Sequence, residues 1–227
     1  MDAGSIEHPL TRALLVLTFT TGVIDAVSFL GLGNTFTANM TGNVVFLGFG
    51  IAGSGGLPVV APIVSLASFL AGSAFGGRIA IGPERTLHLS RAMLLEVGLI
   101  TLALIWALLV DVTPGRFSAD LVIALLAFAM GIRNATVRRL KVADLSTTVL
   151  TMTLTGLASD STLAGGDGAG AQRRVWAVLA MLFGAITGAL LLKVDLSLDL
   201  LLAALLGLST WIVFVPAAQE AERAEQV

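Results

Sequence analysis

The stretch GVIDAVSFLGLGNTFTANMTGN, residues 22–43, sets a carboxylate, Asp25, in an apolar run that begins at Ala13. It then crowds three Asn, three Thr and three Gly between Gly31 and Asn43. A charged side chain near the centre of a membrane helix costs about 2.5 to 3.5 kcal/mol on insertion scales, so something must offset Asp25. Irregular backbone is not tolerated against lipid, because each unsatisfied N–H or C=O costs several kcal/mol there. Residues 31–43 are therefore expected inside the protein or against a water-filled cavity, as the interrupted end of a first membrane span.

The rest of the chain agrees with a bilayer setting. Of 227 residues, 56% are hydrophobic and 12% charged, roughly half the ~25% charge of soluble domains. In water that composition would leave large exposed apolar patches. A net charge of -2 gives no footprint for nucleic acid, and the absence of cysteine removes disulfides, zinc knuckles and thiol nucleophiles. Asp2, Glu7, His8, Pro9 and Arg12 precede the first apolar run without a basic n-region or a small-residue cleavage pattern, so the run is read as retained.

Stretches of about 20 apolar residues recur at 13–32, 59–80, 92–110, 121–139, 175–192 and 198–215. Two more, 36–52 and 142–158, are shorter and dense in Thr, Asn and Gly, and either cross or re-enter. Basic residues favour re-entry. With six spans and a cytoplasmic N-terminus, 11 of the 13 Lys and Arg fall inside, leaving Arg116 and Lys193 outside. If both short stretches crossed, the split would be 8 to 5. The expected architecture is a single polytopic all-α domain over 1–227. Both termini are placed in the cytoplasm, with 1–11 and 217–227 as tails.

Three spans per half make any internal repeat inverted, and weak self-similarity supports one. Gly22-Val23-Ile24-Asp25-Ala26 reads like Gly131-Ile132-Arg133-Asn134-Ala135. Thr37 and Thr41 match Thr147 and Thr151, and Gly72 and Gly76 match Gly184 and Gly188. Repeat one is placed at about 12–111 and repeat two at about 119–216, each with a short interrupted or re-entrant element. A chain with 25 Gly produces such matches by chance as well. Inverted repeats with Gly-interrupted segments point to a midplane binding site in secondary transporters.

Each polar group in the spans has two readings. Asp25 is a proton- or cation-coupling carboxylate, or a structural acid where the helix breaks. Thr148, Thr151 and Thr155 share a helix face, which either lines a solute path or bonds to its own helix. Arg133 lies deeper than the basic cluster of Arg138, Arg139 and Lys141. It can pair with Asp25, bind an anionic solute or snorkel to the surface, whereas Glu96 is expected to reach back to Arg91. The cluster itself reads as a positive-inside anchor, with anionic-lipid contact second. The Gly72/Gly76 and Gly184/Gly188 pairs point first to close packing within the chain and second to a homo-oligomer seam. Gly48-Phe49-Gly50-Ile51-Ala52-Gly53 fits the dinucleotide pattern without strand or turn context and is set aside. His8 and His88 are placed outside the spans, no Ser-His-Asp or HExxH arrangement occurs, and no enzymatic activity, cofactor or metal is expected.

Gly22 to Ala26, Phe29-Leu30, Leu32-Gly33 and Phe36, continued by Ala38-Asn39-Met40-Thr41-Gly42-Asn43-Val44 and Leu47-Gly48, resemble the opening signature of the YoaK-like family. Gly131 to Ala135, with Thr147-Thr148-Val149-Leu150-Thr151 and Thr155, is similar to its second signature, with Met152 where that family more often has Gly. The resemblance covers nearly the whole chain and implies a small bacterial inner-membrane protein with six spans and no determined substrate.

The expected function is a secondary transporter or permease for a small polar solute. Asp25 couples protons or cations, and Asn39, Thr41, Asn43, Asn134, Thr148 and Thr151 line the site, with Arg133 as a further candidate. The rival is a non-transporting membrane scaffold or regulatory module with its polar segments packed dry and every Asn and Thr bonded internally. The partners expected are the lipid bilayer and a small polar solute, with no nucleic acid.

Overall fold

A computed structural model describes residues 8–79, 81, 85–140 and 150–225. The described residues are helical apart from their connections. The helices are α1 (Pro9–Ala26), α2 (Met40–Ile51), α3 (Val60–Ile79), α4 (Arg85–Leu109), α5 (Phe117–Leu140), α6 (Leu150–Ser159), α7 (Ala171–Leu191) and α8 (Leu196–Glu225). Six of them, all but α2 and α6, are long and apolar enough to cross a membrane.

α2 has 12 residues, about 18 Å at about 1.5 Å per residue, against a hydrocarbon core of about 30 Å. It cannot span. The described part of the second short stretch forms the 10 residues of α6. Residues 142–149 of the second short stretch, Thr147 and Thr148 among them, lie outside the described residues. Helix limits move by a few residues from those expected. α1 begins at Pro9, a favourable first-turn residue, with the His8 side chain accepting from the Leu10 N–H. α8 runs on through Pro216 to Glu225, so most of the expected C-terminal tail is helical. His88 falls inside α4, and inside the fourth helix's spanning stretch, rather than outside the spans.

α1 and α5 are the most enclosed spans, with 72% and 61% of their most apolar windows buried. These two carry the matching Asp25 and Arg133 segments. α1 packs on α7 and α5 packs on α3, while α4 and α8 complete the bundle against them and each other. Both tight crossings are made by glycine. A Cβ on Gly22 would run into the Met181 carbonyl and the Ala185 amide, and one on Gly131 into the Phe69 carbonyl and the Ser73 amide. In return Gly184 faces the Phe19 carbonyl and Gly72 the Phe128 carbonyl, while Gly188 meets Val23 and Gly76 meets Ile132. Gly72, Gly76, Gly184 and Gly188 thus serve packing within the chain, and without a Cβ the backbones approach closely enough for dispersion contact along the crossing.

The main core joins Ile24 and Val27 of α1, Ile100 and Ala103 of α4, Val122, Leu126 and Met130 of α5, and Leu200 and Ala203 of α8. A second cluster of Leu10, Leu14, Leu17, Leu89, Met93 and Val137 fills the opposite end.

Candidate functional site

α1 does not stop cleanly after Asp25. It loosens into a π-helical turn, Val27–Gly31, and π-turns set into α-helices are frequent at functional sites. The chain then turns through Gly33 (φ 112°) and Asn34 (φ 54°), a left-handed pair that Gly and Asn accept at least cost. Residues 35–39 are extended or bent until Asn39 caps α2 by accepting from the Gly42 N–H at 3.3 Å.

Asp25 is 6% exposed and accepts from the Ala38 N–H at 3.3 Å, with the Thr37 amide also directed at it. The carboxylate therefore holds the returning chain against α1. Beside it the Thr37 hydroxyl is buried without a hydrogen-bond partner. Asn43 holds the same segment from the other side. Its Oδ1 accepts from the Phe36 N–H at 2.9 Å, and its Nδ2 donates to the Phe36 carbonyl at 2.6 Å and to Ser65 Oγ at 3.1 Å. Ser65 in α3 also donates to the Phe36 carbonyl, at 2.6 Å. Phe36 stacks on Phe29 and Phe46, with ring centroids 4.8 and 5.9 Å away.

Arg133 is 1% exposed and does not snorkel. It pairs with Glu96 of α4 rather than with Asp25. Nε donates to Oε2 at 2.7 Å and Nη2 to Oε1 in a two-point contact. Nη1 turns to α1, donating to the Leu17 carbonyl at 2.9 Å and to Thr21 Oγ1 at 2.7 Å. Glu96 is thus the acid that offsets Arg133 and does not reach back to Arg91. The guanidinium is close enough to act electrostatically on Asp25, one turn beyond Thr21. A bidentate, fully bonded arginine is the form in which a charge tolerates the interior.

The remaining candidates are placed elsewhere. Thr41 on α2 and Thr151 on α6 are exposed on the outer surface of the bundle. Asn134 is half-buried and donates to the Met130 carbonyl of its own helix at 2.8 Å, and Thr155 donates to the Thr151 carbonyl. Thr148 lies outside the described residues. Asp25, Asn39 and Asn43 are brought together around residues 34–39, with Arg133 one turn deeper. The polar face of α6 is not brought to them. Among the described residues no cluster of three or more His, Asp or Glu could hold a metal.

Two participants are missing from the reading of the sequence. Glu96 carried a signal, an acid within the third span, but its partner was assigned by closeness in sequence. Asp199, at the second residue of an apolar run, was not singled out in the sequence; it lies in the first turn of α8 and is fully buried.

Residues 13–214 match a family model described as a protein of unknown function, DUF1275. The UPF0700 transmembrane protein YoaK of Bacillus subtilis (strain 168) is 32% identical over 163 residues, 70% of this chain and 69% of that protein. No solved structure matches.

Proposed function

The chain belongs to the DUF1275 family of transmembrane proteins, and from that premise we propose that it is a secondary transporter or permease for a small polar solute. The observation that carries the reading is the Asp25 carboxylate. It is buried on a broken span, bonded to the backbone that returns from the break, beside the partnerless Thr37 hydroxyl and within electrostatic reach of Arg133. Hydrogen bonds to an ionised carboxylate are roughly twice as strong as those to a neutral group. Taking up a proton at Asp25 therefore loosens its hold on Thr37 and Ala38, and residues 34–39 are the part of the site that moves.

In this reading the two halves, about 12–111 and 119–216, are inverted repeats interleaved in the bundle. What supports it is that the Gly22 crossing on α7 and the Gly131 crossing on α3 set glycine against glycine at matched positions, Gly22 with Gly184 and Gly131 with Gly72. The solute meets Asp25 and Thr37 first, with Asn39 and Asn43 nearby, while Thr41, Asn134 and Thr151 take part only in a rearranged state and Thr148 lies outside the described residues. Both termini lie in the cytoplasm of a bacterium, the protein sits in its inner membrane, and no catalysis is assigned. Glycine stripes spent on the crossings leave a homo-oligomer without a specific seam.

One observation favours a second reading, a scaffold that transports nothing: Asn39 and Asn43 satisfy the broken backbone completely enough to pack dry. Liposomes holding the purified protein and an internal pH dye separate the two. Wild type should move protons when candidate amino acids, sugars or small organic acids are added outside, and Asp25→Asn should not. Equal traces from both proteins would remove the coupling role.

A further inference from the structure

α8 starts at a step of two acids. Asp195 is exposed and its Oδ1 accepts from the Ser197 N–H at 2.7 Å, which opens the helix. Asp199 lies one turn further on the same face, about 6 Å deeper by helical rise. It is fully buried, and neither carboxylate oxygen has a hydrogen-bond partner. Leu200 and Ala203, next along this face, belong to the apolar core, and Leu196 packs against it. Among the described residues, the neighbouring elements set no counter-charge against it. Asp25 on α1 is held by the Thr37–Ala38 backbone and Glu96 on α4 by Arg133. The Val27–Gly31 turn carries no ionisable residue, and Lys193 after α7 is exposed.

Arg133 shows how this chain treats a buried charge that serves packing: each of its three guanidinium nitrogens is bonded. Asp199 is treated in the opposite way. A buried carboxylate without a partner costs several kcal/mol, and nothing in the helix start requires an acid there, because Asp195 already supplies the cap. A small cation bound at the carboxylate removes that cost. We propose that Asp199 is a binding site for a small monovalent cation, a proton or an alkali metal ion, reached from the bundle end that Asp195 marks. The site is separate from Asp25 and does not rest on solute coupling.

The full-length protein in liposomes, treated with N,N′-dicyclohexylcarbodiimide and analysed by peptide mass spectrometry, tests this. The reagent is apolar and adds only to protonated carboxyl groups. An adduct at Asp199 is expected at acidic pH and should be lost as pH rises, and it should be absent from Asp199→Asn. At fixed pH, loss of the adduct when sodium or potassium chloride replaces choline chloride identifies an alkali ion. Indifference to salt together with loss at high pH identifies the proton. No adduct at any pH, or an adduct that ignores both pH and salt, overturns the site. Repeating the labelling in Asp25→Asn keeps the result independent of solute coupling.

Discussion

Arg133 of α5 and Glu96 of α4 form a two-point ion pair with each side chain 1% exposed, and the arginine's remaining nitrogen bonds to α1 through Leu17 and Thr21. One side chain therefore ties three spans together where none could be left partly bonded. Removing one member of a buried pair costs about 3–5 kcal/mol, because the other charge stays behind. Arg133→Met is expected to lower unfolding stability in detergent by that amount. Arg133→Met with Glu96→Leu should recover most of it. A double variant no more stable than Arg133→Met would show that the arginine's bonds to α1, rather than the abandoned Glu96 charge, dominate.

The glycine crossings make a paired prediction. Gly22→Ala and Gly131→Ala each push a methyl into backbone atoms of the facing helix, which have no rotamer to escape into. Overpacking of this kind costs about 1–3 kcal/mol. Gly48→Ala, in α2 with open space beside it, should instead be neutral or stabilising by up to about 1 kcal/mol, from helix propensity alone. Thermal unfolding of the three variants side by side checks both signs.

Asn43 acts on Phe36 as a strand partner would, matching its N–H and its C=O. Asn43→Leu leaves that amide without its acceptor at a cost of about 1–3 kcal/mol. Ser65→Ala should cost less, because Asn43 still serves the Phe36 carbonyl. Amide exchange at residues 34–38, read by mass spectrometry, should rise in Asn43→Leu and change little in Ser65→Ala.

The spans and the broken segment after Asp25 were legible because both follow from local chemistry: apolar length, scarce charge, and Asn, Thr and Gly at membrane depth. Partner choice was not. Glu96 lies 37 positions from Arg133, and only the rotation of α4 against α5 brings them together. The spacing of Thr151 and Thr155 did identify one helix face, but spacing does not say where a face points. α6 has its main neighbour in α7 and turns those threonines outward. Asp199 was hidden for the same reason, since an acid at the edge of an apolar run looks alike whether its helix turns it to the headgroups or into the core.

The inverted arrangement predicts sides as well as contacts. If the halves enter the membrane in opposite senses, the loop after α2 and the loop between α4 and α5 lie outside, while the loop after α6 lies in the cytoplasm. The chain has no cysteine, so single cysteines report position without background. Ser54→Cys, Arg116→Cys and Leu163→Cys fall at exposed loop positions. In intact cells an impermeant maleimide should label the first two and spare the third until the membrane is opened. Labelling of Ser54→Cys and Leu163→Cys from the same side would place both short helices on one face. The matched glycine crossings would then reflect two similar helix pairs rather than two inverted halves.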